Sequence, residues 1–227
     1  MNIVAIFLLL FGAGHAQAAD GELKDLPLVE VKARAPESDT LAVLLSGDGG
    51  WAKIDRALSA AFAQAGIPTV GLISPKYFWT ERTPDEVAKD LERILRLYLA
   101  RWGKNKILLV GFSQGADVLP FAVSRLPAEL RTRIKLVALL SAGQEAVFEF
   151  HVATMLGRAP TGTLPILPEI TQMAGVPILC LYGADEEETL CHLLKAPQAE
   201  CIVLPGGHHF DGDYRSIAAT ILRAARY

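Results

Sequence analysis

Between residues 26 and 225 the chain alternates short apolar runs with longer stretches of helical spacing. Leu26 to Ala33 alternates apolar and polar residues, the pattern of an edge strand. Thr40 to Leu45 is a continuous apolar run that predicts a buried strand, and Pro68 to Ile73 predicts another. From Ile54 to Ala65 the apolar positions Ile54, Leu58, Ala61 and Phe62 recur at helical spacing, and Gly66 stands where a helix would end. The clearest helix is Pro84 to Trp102. Thr83 is its expected N-cap, Pro84 its first residue and Glu86 the partner in a capping box, while Val87, Leu91, Ile94, Leu95 and Tyr98 share one face. Lys106 to Val110, Ile134 to Leu140, Val176 to Leu181 and Cys201 to Leu204 predict further strands. Ala116 to Leu126 and Tyr214 to Ala225 predict helices. This alternation implies an α/β fold with a mostly parallel sheet covered by helices on both faces. Residues 144–173 break the rhythm. Phe148, Phe150, Met155, Leu156, Pro160, Pro165 and Pro168 make an apolar, proline-punctuated connection long enough to form a small cap, or a surface excursion packed on the sheet edge.

The strand at 106–110 runs into Gly111-Phe-Ser-Gln-Gly115, and a helix follows at once. Strand, sharp turn and helix are the context a nucleophile elbow requires: the turn lifts the Ser113 hydroxyl above the sheet, and glycine two residues either side relieves the crowding. A serine hydroxyl needs a base, and the base needs an orienting carboxylate. In chains of this architecture the order is Ser, acid, His. Ile178 to Gly183 is followed by Ala184-Asp-Glu-Glu-Glu188, where Glu186 and Asp185 are the candidate acids; Leu204-Pro-Gly-Gly-His-His-Phe210 then offers His208, with His209 as the alternative. The paired histidines lack metal-ligand spacing to other residues, and no cofactor is implied. A developing oxyanion needs backbone N–H donors. Gln114 follows the nucleophile directly, and Asp48 lies in the loop Gly47-Asp-Gly-Gly-Trp51 after an earlier strand. Gly47, Gly49, Trp51 and Asp211 are candidate substrate contacts. The same glycines lack the Lys-Ser/Thr of a phosphate loop.

The chain has 227 residues, half of them hydrophobic and about a fifth charged, with a net charge of −3. This is the composition of an ordered globular protein, and no basic stretch suggests nucleic acid. Ile3 to Phe11 is unbroken apolar sequence, followed by Ala16-Gln-Ala18, so residues 1–19 read as a secretory signal ahead of one domain at 20–227. The n-region departs from the usual form in having no Lys or Arg. Export implies an oxidising compartment. Of the three pairings open to Cys180, Cys191 and Cys201, Cys180–Cys191 is favoured, and Cys201 reads as a core cysteine.

Several segments together resemble one family: Leu45-Ser-Gly-Asp-Gly-Gly-Trp51, Gly111-Phe-Ser-Gln-Gly-Ala-Asp-Val-Leu-Pro120, Phe148-Glu-Phe-His151, Tyr182-Gly-Ala-Asp-Glu186 and Gly206-Gly-His-His-Phe-Asp-Gly-Asp-Tyr214. They are similar to the bacterial virulence protein VirJ and the C-terminal domain of AcvB. The resemblance implies an α/β-hydrolase exported to the periplasm and associated with type IV secretion components or effectors. It also implies a serine esterase that takes a membrane phospholipid, lysyl-phosphatidylglycerol, as substrate. A cationic aminoacyl group would want a carboxylate near Ser113, with Asp48, Glu149, Asp211 and Asp213 available. Asp211 and Asp213 are equally placed to cap the last helix.

Overall fold

The computed structural model describes residues 23–34, 37–149 and 162–226. The segment 1–19 lies outside them, as do Phe150, His151, Met155, Leu156 and Pro160. Among the described residues nine strands form: β1 Leu28–Val31, β2 Thr40–Leu45, β3 Thr69–Leu72, β4 Lys106–Phe112, β5 Ile134–Leu140, β6 Glu145–Ala146, β7 Leu164–Pro165, β8 Ile178–Gly183 and β9 Glu200–Leu204. The helices are α1 Lys53–Gln64, α2 Ser74–Tyr77, α3 Pro84–Arg101, α4 Gln114–Ser124, α5 Ala128–Arg131, α6 Leu167–Gln172 and α7 Tyr214–Ala224.

Seven strands form one sheet in the order β1-β3-β2-β4-β5-β8-β9, parallel except for β1, which runs antiparallel to β3. Period-two alternation sends successive side chains to opposite faces. Leu41, Val43, Ile107 and Leu109 join the core beneath α3, α4 and α6, while Ala42, Leu44, Leu108 and Val110 join the core beneath α1 and α7. The central strands are therefore apolar on both faces, which is why they read as continuous runs.

Local signals act where they were legible. The Thr83 side chain accepts the Glu86 N–H at 3.2 Å, and Glu86 Oε2 accepts the Thr83 N–H at 2.7 Å. Such a cap contributes about 1 kcal/mol. Gly66 closes α1 with φ +78°, a conformation costly for any residue with a Cβ.

Two sequence expectations are corrected. β4 continues to Phe112 and α4 starts at Gln114, so Ser113 alone joins them; the tightness of that turn leaves no separate loop. Within the connection 144–173, β6 pairs antiparallel with β7 and α6 follows. Phe148 anchors its start by packing edge-on to Phe121 at 5.1 Å and Phe78 at 6.3 Å. Finally, Cys201 is not a core residue. It is exposed on β9, the outermost strand of the sheet, where no further strand covers it. Cys180 and Cys191 form the disulfide. Among the described residues no helix is long and apolar enough to cross a membrane.

Candidate active site

The sheet order reverses between β2 and β4, because the chain grows outward through β3 and β1 on one side and through β5, β8 and β9 on the other. Ligand crevices in such sheets open at the carboxyl ends of the strands flanking this switch. The loops after β2 and β4 carry Gly47 and Ser113, so the two segments meet there.

Ser113 has φ +51° and ψ −125°, a strained conformation for a residue with a Cβ. Its neighbours explain how the strain is held. A Cβ on Gly111 would lie 2.6 Å from the Ala116 Cα, and one on Gly115 would run into the carbonyl of Leu45. Glycine at both positions lets α4 start directly above β2 and β4. A Cβ on Gly47 would come 3.2 Å from that of Ser113, so the β2 loop passes beside the nucleophile.

A hydrogen-bonded chain runs from this serine. Ser113 Oγ lies 3.0 Å from His208 Nε2, and His208 Nδ1 lies 2.8 Å from Glu186 Oε1. The second carboxylate oxygen accepts the Gly183 N–H at 2.7 Å and sits 2.9 Å from the Ser141 hydroxyl. The acid is well covered, its side chain 14% exposed, and the imidazole is more open at 46%. Phe112 packs on the His208 ring at 5.4 Å. Of the paired sequence candidates, Glu186 and His208 enter this chain. Asp185 is exposed, and its backbone N–H is tied to the Gly206 carbonyl. His209 is exposed, its ring 5.5 Å from Phe112.

The backbone N–H groups of Asp48 and Gln114 donate to no backbone carbonyl among the described residues. Both therefore remain available as oxyanion donors. The loop that presents Asp48 is anchored at its base. The Ser46 hydroxyl accepts the Ser74 N–H at 3.0 Å, and the Ser74 hydroxyl donates to the Ser46 carbonyl. At its far end Asp55 Oδ2 accepts the Ala52 N–H at 2.8 Å.

Other sequence candidates take different places. The Trp51 indole packs over Gly71 in β3, filling the space a side chain there would take, and remains half-buried. Asp211 is exposed with its carboxylate against Gly206. Asp213 caps α7 by accepting the Ser216 N–H at 3.2 Å. Gly49 faces open space.

Two residues were missed by sequence reasoning. Ser141 has φ +48° at the end of β5 and helps hold Glu186; its only sequence signal was its place just past a buried strand beside β4. Asp117 sits one turn into α4, its N–H bonded to the Ser113 carbonyl at 3.0 Å. Its Oδ1 accepts the Gly143 N–H at 2.8 Å. Burial pushes the Asp117 carboxyl up to about 8, and the negative charge of nearby Asp48 adds to the rise. It was visible within the motif Gly111-Phe-Ser-Gln-Gly-Ala-Asp117, one helical turn beyond the serine.

Fold and geometry define the class: this is an α/β-hydrolase-fold protein with a Ser–His–Glu array at the switch point. Solved structures share that architecture. MenH from S. aureus matches with a TM-score of 0.64 at 16% identity, covering 88% of this chain and 99% of that one. The esterase domain from a Rhodothermus marinus protein matches with a TM-score of 0.62 at 15% identity, covering 89% and 93%. Est1E from Butyrivibrio proteoclasticus, solved with ferulic acid bound, matches with a TM-score of 0.60 at 14% identity, covering 87% and 93%. At these identities the likeness is one of fold. No curated protein matches the chain. The family profile described as bacterial virulence protein (VirJ) matches residues 39–227, and the chain belongs to that family.

Proposed function

We propose that this protein is an exported serine esterase that cleaves an aminoacyl ester of a membrane phospholipid, lysyl-phosphatidylglycerol, at the periplasmic face. The observation that carries the hydrolase reading is the continuous chain Ser113–His208–Glu186. The family's virulence link and the resemblance to AcvB support the lipid and the association with type IV secretion. The signal-like residues 1–19 support export.

The chemistry follows from the distances. His208 Nε2 takes the proton of Ser113 as Oγ bonds to the ester carbonyl carbon. Charge moves to the carbonyl oxygen, where the Asp48 and Gln114 N–H groups receive it. Glu186 holds His208 Nδ1–H and stabilises the imidazolium. Collapse breaks the bond to the alcohol oxygen, and His208 returns the proton to the departing phosphatidylglycerol. A water, deprotonated by His208, then attacks the acyl-serine; the bond to Oγ breaks, Ser113 is reprotonated and lysine leaves.

The test uses the mature protein and its Ser113→Ala variant with lysyl-phosphatidylglycerol in micelles, following lysine release. Serine-dependent release supports the reading. Serine-dependent cleavage of a simple aryl ester without lysine release keeps the esterase and discards the lipid. Silence on both discards the enzyme.

A further inference from the structure

The wall of the site beyond Ser113 offers hydrogen-bond acceptors and lacks matching donors. Asp117 is partly buried, and only its Oδ1 has a donor among the described residues, the Gly143 N–H. No Lys, Arg or His among the described residues pairs with it. Gln114, directly after the nucleophile, turns its amide nitrogen toward the Val147 carbonyl at 3.5 Å. Flipping that amide would set oxygen against oxygen, so the orientation is fixed by its neighbour. The atom left over, Gln114 Oε1, is buried without a partner among the described residues. A buried unpaired acceptor is costly and calls for an explanation. Both side chains bond to the same segment, residues 143–147, so the two acceptors lie on one side of the nucleophile.

We infer that Asp117 reads a protonated amine on the α-carbon of the acyl group. An ammonium carries three donors and no acceptor, which answers a carboxylate with one oxygen left over. Reach selects the α position. Asp117 stands one helical turn past Ser113, its N–H bonded to the Ser113 carbonyl at 3.0 Å. In the acyl-serine, an α-amine stands three bonds from Oγ. At about 1.5 Å per bond that is roughly 3–4 Å from Oγ, and a hydrogen bond of about 2.8 Å spans the rest. An amine at the end of a lysyl side chain is four bonds further out and overshoots. Burial raises the Asp117 carboxyl, and a cation beside it would favour the charged form. The inference rests on Ser113 being the acyl-accepting nucleophile and predicts tolerance of the amino-acid side chain.

The experiment compares kcat/KM for alanine methyl ester, propionate methyl ester and 6-aminohexanoate methyl ester, with wild type and Asp117→Asn. Asparagine keeps an oxygen for the Gly143 N–H while removing the charge. A charge-assisted hydrogen bond predicts that wild type prefers alanine methyl ester over propionate methyl ester by about 10- to 100-fold. 6-Aminohexanoate methyl ester should behave like propionate, and Asp117→Asn should collapse the alanine preference to within a few-fold. Equal rates on the alanine and propionate esters in wild type, or a preference kept in Asp117→Asn, overturn the assignment while leaving the esterase standing. A preference for 6-aminohexanoate overturns the α position. If none of the three esters is cleaved in a Ser113-dependent way, the hydrolase reading falls and this inference with it.

Discussion

Replacing Glu186 with glutamine changes one atom and should nearly silence the site. Glu186 Oε2 takes two donors, the Gly183 N–H at 2.7 Å and the Ser141 hydroxyl at 2.9 Å, and Oε1 faces His208 Nδ1 at 2.8 Å. Glutamine has one oxygen to place. Facing Gly183, it leaves its NH2 against His208 Nδ1, which must then accept; the ring proton moves to Nε2, 3.0 Å from Ser113 Oγ, and the imidazole is no longer a base. Facing His208, it sets NH2 against the Gly183 N–H. The second arrangement strands a covered donor at about 1–3 kcal/mol, so the working tautomer falls by roughly 10- to 100-fold. The carboxylate opposite the imidazolium is lost as well. A charge pair at about 4 Å in an effective dielectric near 20 is worth about 4 kcal/mol, roughly another 10²- to 10³-fold. Together these give a loss of about 10⁴-fold in kcat, the scale seen when a triad acid becomes its amide. Stopped-flow hydrolysis of an aryl ester, with Asp185→Asn as the comparison, measures it. Near wild-type turnover in Glu186→Gln alongside a collapse in Asp185→Asn would refute this account of the acid.

Three further outcomes follow from the fold. Gly115→Ala would press a methyl into the Leu45 carbonyl, so the variant should lose about 1–3 kcal/mol or more, read as a fall in the urea midpoint. Asp55 is fully buried, one carboxylate oxygen has no partner, and burial pushes it up from 3.8 to about 6. The folded protein thus binds more protons than the unfolded chain between those values. Stability should fall as pH rises from 4 to 6, by about 3 kcal/mol in all, and Asp55→Asn should flatten that slope when urea midpoints are compared at pH 4 and 7. The Cys180–Cys191 bond closes a loop of sequence separation 11. The Cys180→Ser, Cys191→Ser double variant should lose about 3 kcal/mol, seen as a lower Tm that reductant no longer shifts.

Much of this protein was written locally. The apolar runs of β2, β4 and β5 are buried on both faces, and the Thr83–Glu86 cap needs only neighbours in sequence, so periodicity and spacing located them. The elbow was legible for the same reason, because strand, serine and helix are contiguous and the glycines answer a steric demand inside a few residues. Folding decided the rest by bringing distant segments together. Asp185 and Glu186 stand side by side in sequence, as do His208 and His209; which member joins the chain to Ser113 depends on how the loops after β8 and β9 are placed. Ser141 gains its role only because β5 lies between β4 and β8. Trp51 packs over Gly71 only because β3 lies beside β2 in the sheet. Cys201 sits in an apolar run, yet the strand order leaves it at the edge. Sequence alone determines which backbone each segment prefers and which chemistry it carries, since those interactions span a turn or two. The partner of each side chain is a contact across tens of residues, and only the packed sheet fixes it.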